Sequence, residues 1–184
     1  MVDSTTTPYF IFAECDFELI NGEQKTKDIL EDSIKLMKED NVKLVRLRDR
    51  TKPGTPDGVR LSVPVGDADL LSYSYDNFEH KLGTLTFLKN PEEVMPNTFI
   101  IKGPPQYKYK WYICDFLCAR WSNTIFIAET KFLKEIVLPY IKSHMNNEDK
   151  IHLLEIILFG EKSPLKQQLQ AQGEGLFTHN RLDR

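Results

Sequence analysis

Between residues 107 and 112, three tyrosines and two lysines gather around a tryptophan in the order Tyr107, Lys108, Tyr109, Lys110, Trp111, Tyr112. Phenol and ammonium groups have ordinary pKa values of about 10 to 10.5, so the chemistry open to this run is a proton-driven switch in alkali. A second set has the lettering of a metal-dependent nuclease. Pro56-Asp57 is followed, after a long gap, by Glu129-Thr130-Lys131 at the end of an apolar run. In such a site Asp57 and Glu129 would hold Mg²⁺ and Lys131 would orient the attacking water. Pro56-Asp57-Gly58 also reads as an ordinary turn, and E-x-K triples are common, so the turn is the preferred reading. The histidines, His80, His144, His152 and His179, lack ligand spacing, and neither a Gly-rich phosphate loop nor a nucleophile elbow occurs. No enzymatic activity, metal or cofactor is expected.

Three cysteines are too few for a disulfide scaffold. Cys114 and Cys118, in the most aromatic part of the chain, read as buried thiols, and Cys15 is the candidate for an intermolecular bond. A length of 184 residues with 41% hydrophobic and 28% charged residues fits one self-sufficient domain. The net charge of −3 argues against a nucleic-acid coat, and Arg46, Arg48 and Arg50 alternate as one wet face of a strand would. No run of about 18 apolar residues and no signal-type N-terminus is present. A soluble chain without membrane insertion is expected.

The elements that position these residues follow from periodicity. Residues 1–8 are small and polar and read as a flexible arm. Residues 9–17 read as a strand, Asn21-Gly22 as a turn, and 26–39 as a helix with early acids and late lysines. Residues 42–48 alternate as a strand, and shorter strands are expected at 59–65, 70–75, 82–88 and 98–102. The stretch 107–129 holds both tryptophans and should give two strands with a bend between them, forming the centre of the core. Residues 131–144 carry a helical stripe that Pro139 should kink or shorten, and 151–159 is an apolar run read as a buried strand. From 161 to 184 the chain is polar and reads as a second arm, with Leu176 and Phe177 as its docking pair. Short, regularly spaced strands favour a mainly β (α+β) fold: an antiparallel, jelly-roll-like β-sandwich over 9–160 with a few attached helices.

In four ordered blocks the chain resembles the polyhedrin/granulin family, the matrix proteins of baculovirus and nudivirus occlusion bodies. The blocks are YFIFAECDF with NGEQK and the helix to VKLV (9–45), the NPEEVM segment with its β run (90–101), YKWYICDFLCARW (109–121), and KIHLLEIILF with GLFT (150–159, 175–178). Together they cover a little over half of the chain. The family's N-terminal basic cluster has no counterpart before Tyr9, and residues 48–89 do not align with the family.

The resemblance implies a structural protein that forms trimers and larger symmetric clusters. These would build a crystal around enveloped virions inside the infected insect cell, in the nucleus by family likeness, and the crystal would dissolve in alkali. Composition is compatible with that cycle. Deprotonating all 17 lysines and 7 tyrosines would carry the net charge from −3 to −27, enough for copies to repel strongly. Tyr107, Lys108, Tyr109, Lys110 and Tyr112 are the candidate switch and lattice-contact group. The alternatives are the Mg²⁺-dependent nuclease and a viral interaction module that forms no crystal.

Overall fold

In the computed structural model, residues 4–13, 15, 17–49, 92, 99–116, 125–144, 165 and 168–179 are described. The expected strands at 59–65, 70–75, 82–88 and 151–159 lie outside these residues, as do Asp57, Cys118 and Trp121. Among the described residues, seven strands form one mixed sheet: β1 (Tyr9–Phe12), β2 (Phe17–Leu19), β3 (Val42–Arg48), β4 (Ile100–Lys102), β5 (Trp111–Asp115), β6 (Phe126–Glu129) and β7 (Leu169–His179). Their order is β1-β6-β3-β7-β5-β4, with β2 paired to the far end of β7. The expected mainly β, α+β class is therefore observed. The sheet is not wholly antiparallel, however, because β3 and β7 run parallel.

Helix α1 (Glu23–Glu39) begins after Gly22, somewhat earlier than its apolar spacing suggested. It ends where Asn41 adopts φ 56°, a left-handed conformation that asparagine tolerates and that stops the helix. Ile29, Ser33, Leu36 and Met37 bury one face of α1. Ile29, Leu36 and Met37 pack with Val45, Leu47, Ile113, Ile125, Ile127 and Ala171 of the sheet region. A second helical run, α2, covers residues 130–144 as Thr130–Phe132 (α), Leu133–Val137 (π) and Leu138–His144 (α). Its Phe132, Leu133 and Val137 pack with Leu44, Phe126 and Ala128. Leu44 and Val45 are successive strand residues and point to opposite faces, so α1 and α2 cover opposite sides of the sheet. Pro139 neither ends nor shortens α2. The widened π turn stands just before it, where the missing N–H of proline removes the ordinary partner of the Glu135 carbonyl.

The largest departure from expectation is the C-terminal segment. Instead of an arm, Leu169–His179 is an inner strand between β3 and β5. Leu176 is fully buried and Phe177 packs on the same core, so the expected docking pair docks on its own sheet. Small residues make this possible. A Cβ on Gly173 would sit 2.8 Å from the Trp111 ring, and one on Gly175, at φ +88°, only 2.0 Å from the Arg48 carbonyl oxygen. The register with β3 shifts between Arg46 and Arg48, which face Gln172 and Phe177 respectively, and the glycines lie within that shift. The N-terminal arm is tied down in part: Thr130 N–H donates to the Pro8 carbonyl at 2.9 Å and Lys134 Nζ to that of Thr5 at 2.7 Å.

Arg46 and Arg48 do not form a wet face. Both are buried; Arg46 Nε donates to Gln170 Oε1 at 2.9 Å, and burial pushes its guanidinium down to about 10. Neighbouring Gln172 is fully buried, and among the described residues neither atom of its amide has a hydrogen-bond partner. Burying an unpaired amide costs about 1 to 3 kcal/mol. Gln172→Met keeps the side-chain length without that cost. It should raise the thermal midpoint by several degrees, measured by circular dichroism.

Candidate alkaline-switch site

The loop between β4 and β5 is fastened to α1 by a carboxylate in an unusual place. Helical spacing puts residue 32 on the buried face beside Ile29 and Leu36, where an apolar side chain would be ordinary, yet the residue is Asp32, only 3% exposed. Its Oδ2 accepts from Lys108 N–H at 2.8 Å, Tyr109 N–H at 3.1 Å and the Trp111 indole N–H at 3.1 Å. One oxygen thus satisfies two part-buried backbone donors and the buried indole N–H, and these bonds fix the alternating Tyr-Lys run against the helix.

Around that anchor the titratable side chains pair within the chain. The Tyr107 hydroxyl donates to Asp40 Oδ2, and Lys102 Nζ lies 2.9 Å from Asp40 Oδ1. Burial, then the Asp40 carboxylate, pushes the Tyr107 phenol well above its ordinary value of 10.0. Burial works against ionised Asp40, but the hydrogen bonds from Tyr107 and Lys102 outweigh it and hold the carboxyl below the usual range. Lys108 reaches Asp28 at 2.5 Å and Glu31 at 2.9 Å, and those bonds, Asp28 first, raise its ammonium above 10.5. Lys110 Nζ and the Tyr112 hydroxyl both donate to Glu92 Oε1, at 2.6 and 2.8 Å. Glu92 is the leading cause of the raised Lys110 value, and burial of the raised Tyr112 value.

The site is therefore larger than the run of five residues that announced it. Asp28, Glu31, Asp32, Asp40, Glu92 and Lys102 supply its acidic and basic partners, and only Asp32, an acid at a core position of an amphipathic helix, left a readable signal. Tyr107 and Tyr112 are buried within their own chain. A contact between copies at this run would fall to Lys108, Lys110 and the half-buried Tyr109.

The remaining sequence-derived residues lie apart from this group. Cys15 is an exposed free thiol in the turn between β1 and β2. Cys114 is buried, as expected. Of the nuclease-type set, Glu129 at the end of β6 lies 3.1 Å from Lys43 Nζ, and Lys131 lies 3.8 Å from Glu135. No histidine side chain is among the described ones. Compared with known proteins, the chain matches no family model, no curated protein and no solved structure.

Proposed function

We propose that this chain is a structural matrix protein whose copies associate at neutral pH into an alkali-soluble viral crystal. The observation that carries the reading is the apolar character of both sheet edges. Ile11 on β1 is 47% exposed, and Ile100 and Ile101 on β4 are 54% and 48% exposed. Among the described residues, β1 and β4 are the two end strands of the path. An edge strand offers backbone donors and acceptors to another chain, and monomeric proteins usually guard it with charge or proline. Exposed Leu19 and Ile20 add a third apolar point, beside β7. The ordered resemblance to the polyhedrin/granulin family supports the same reading. It implies trimers and larger closed clusters, a jelly-roll-like sandwich, enclosed enveloped virions and assembly in the infected insect cell, nuclear by family likeness. Exposed Cys15 is the proposed site of a bond between copies.

The test is expression in insect cells, followed by microscopy and sedimentation. The unmodified chain should give refractile bodies at neutral pH that dissolve above about pH 10, where phenols and ammonium groups begin to lose protons. The double variant Ile100→Lys, Ile101→Lys should reduce the sedimenting fraction about tenfold or more while leaving the circular dichroism spectrum unchanged. A chain that stays monomeric at high concentration and neutral pH would overturn the reading.

A further inference from the structure

The register between β1 and β6 fixes which backbone groups of β1 face outward. Thr130 N–H donates to the Pro8 carbonyl at 2.9 Å, and Tyr9 stands opposite Glu129. Pro8 and Thr130 are therefore a hydrogen-bonded pair. Such pairs alternate along an antiparallel ladder, so the next are Phe10 with Ala128 and Phe12 with Phe126. The N–H and C=O groups of Tyr9 and Ile11 then point away from β6. Among the described residues, only the Tyr9 carbonyl meets a partner on that side, the Thr7 hydroxyl at 2.8 Å. Pro8 does not guard this edge, because its missing N–H faces β6.

The side chains along the edge suit an antiparallel copy of the same strand. Residues 9–13 read Tyr-Phe-Ile-Phe-Ala, uncharged, with Phe10 and Phe12 placed symmetrically about Ile11. A second strand centred on Ile11 sets Ile11 against Ile11, Phe10 against Phe12 and Tyr9 against Ala13. Apolar groups meet, and no like charges oppose one another. Ile11, 47% exposed, lies opposite Ile127 on the side of the sheet covered by α1. Phe10 and Phe12 pack on the other side, where Phe12 stacks on Phe126 at 5.4 Å. Both faces of the sheet can therefore continue across the join. β4 is less suited to itself: it has three residues, and pairing about the middle one would set Ile100 against Lys102, which already holds Asp40.

We propose that two copies join antiparallel through β1 about a two-fold axis at Ile11, so that the sheet runs from one copy into the other. The Ile11 N–H of each copy donates to the Ile11 carbonyl of the other, and Tyr9 and Ala13 bond likewise on either side. The pairing leaves β4 at both outer ends. It rests on the reading that copies associate, and it names the edge that pairs and what it pairs with.

The test is crosslinking of the full chain in a Cys15→Ser background, in dilute solution at neutral pH, with oxidised glutathione and non-reducing gels. Residues opposite one another in a hydrogen-bonded pair have Cα atoms about 5.5 Å apart, within the span of about 4.4 to 6.8 Å that a disulfide bridges. Ile11→Cys should therefore give dimer several times faster than Leu19→Cys or Ile101→Cys, which replace residues at least as exposed. Ile11→Lys sets two ammonium groups against each other. It should weaken dimerisation about tenfold in sedimentation equilibrium and leave the circular dichroism spectrum unchanged. Rapid Ile11→Cys linking without refractile bodies would overturn the crystal reading and support this pairing. Bodies that form while Ile11→Cys links no faster than the other two variants would overturn the pairing and leave the crystal reading intact.

Discussion

Asp32→Ala should destabilise the chain by about 3 kcal/mol, a large loss for a single substitution. The reason lies in the donors left behind. Lys108 N–H, Tyr109 N–H and the Trp111 indole N–H all converge on Asp32 Oδ2; the buried indole left unsatisfied costs about 1 to 3 kcal/mol, and the two part-buried amides, which water can reach in part, cost less. Alanine also releases the loop that carries Tyr107 and Trp111, two of the largest fully buried side chains. Asp32→Asn provides the control. Its carbonyl oxygen can keep the three bonds without the charge, so it should cost much less, about 1 to 2 kcal/mol. Urea unfolding followed by tryptophan fluorescence measures both. Equal losses in the two variants would mean that charge, rather than the accepting oxygen, holds the loop.

The same residue shows where sequence patterning succeeds and where it stops. Alternation at Val42–Arg48 gave β3 its true bounds, and helical spacing gave α1 to within a few residues at its start. Helix α1 buries one face against a water-facing one, and that contrast is what periodicity detects; β3 is buried on both faces, and its alternation comes from arginines set among apolar residues. β7 has no such contrast. It is buried among neighbours, but its inner positions are Gln170, Ala171, Gln172 and Gly173. The small residues are there because the Trp111 ring fills the space above Gly173. Gln170 lies beside a buried arginine. Local composition therefore reads as a polar tail, and only the residues opposite explain it. The arginines of β3 misled for the matching reason: Arg46 is buried against Gln170, more than 100 residues away in the chain. The titratable cluster at residues 107–112 was legible as a dense run of phenols and ammonium groups. Its carboxylates were not, because they come from α1, its C-cap and Glu92.

Raising the pH should loosen this network from within each copy, and Tyr107→Phe should expose that effect. Free tyrosine ionises near 10.0, whereas in the fold Tyr107 holds its proton to higher pH, because it is buried and donates to Asp40. A group whose folded value lies above its unfolded one contributes fully at pH below the unfolded value, and that contribution is lost as pH rises through the folded one. The loss therefore begins near pH 10 and approaches about 1.4 kcal/mol for each further pH unit. Lys108 and Lys110 also have raised values and act in the same direction above 10.5. Phenylalanine removes the hydrogen bond to Asp40, so at pH 7 the variant should be less stable by about 1 to 2 kcal/mol. It cannot ionise, however, and escapes this share of the alkaline loss. The stability curves of the two proteins should cross near about pH 11, measured by urea unfolding between pH 7 and 11.5. Curves that stay parallel would remove Tyr107 from the switch. Assemblies give the complementary reading. If the fold limits dissolution, Tyr107→Phe bodies should dissolve at higher pH than the unmodified ones. If repulsion between whole copies limits it, losing one phenolate among 7 tyrosines and 17 lysines should leave the dissolution pH where it was.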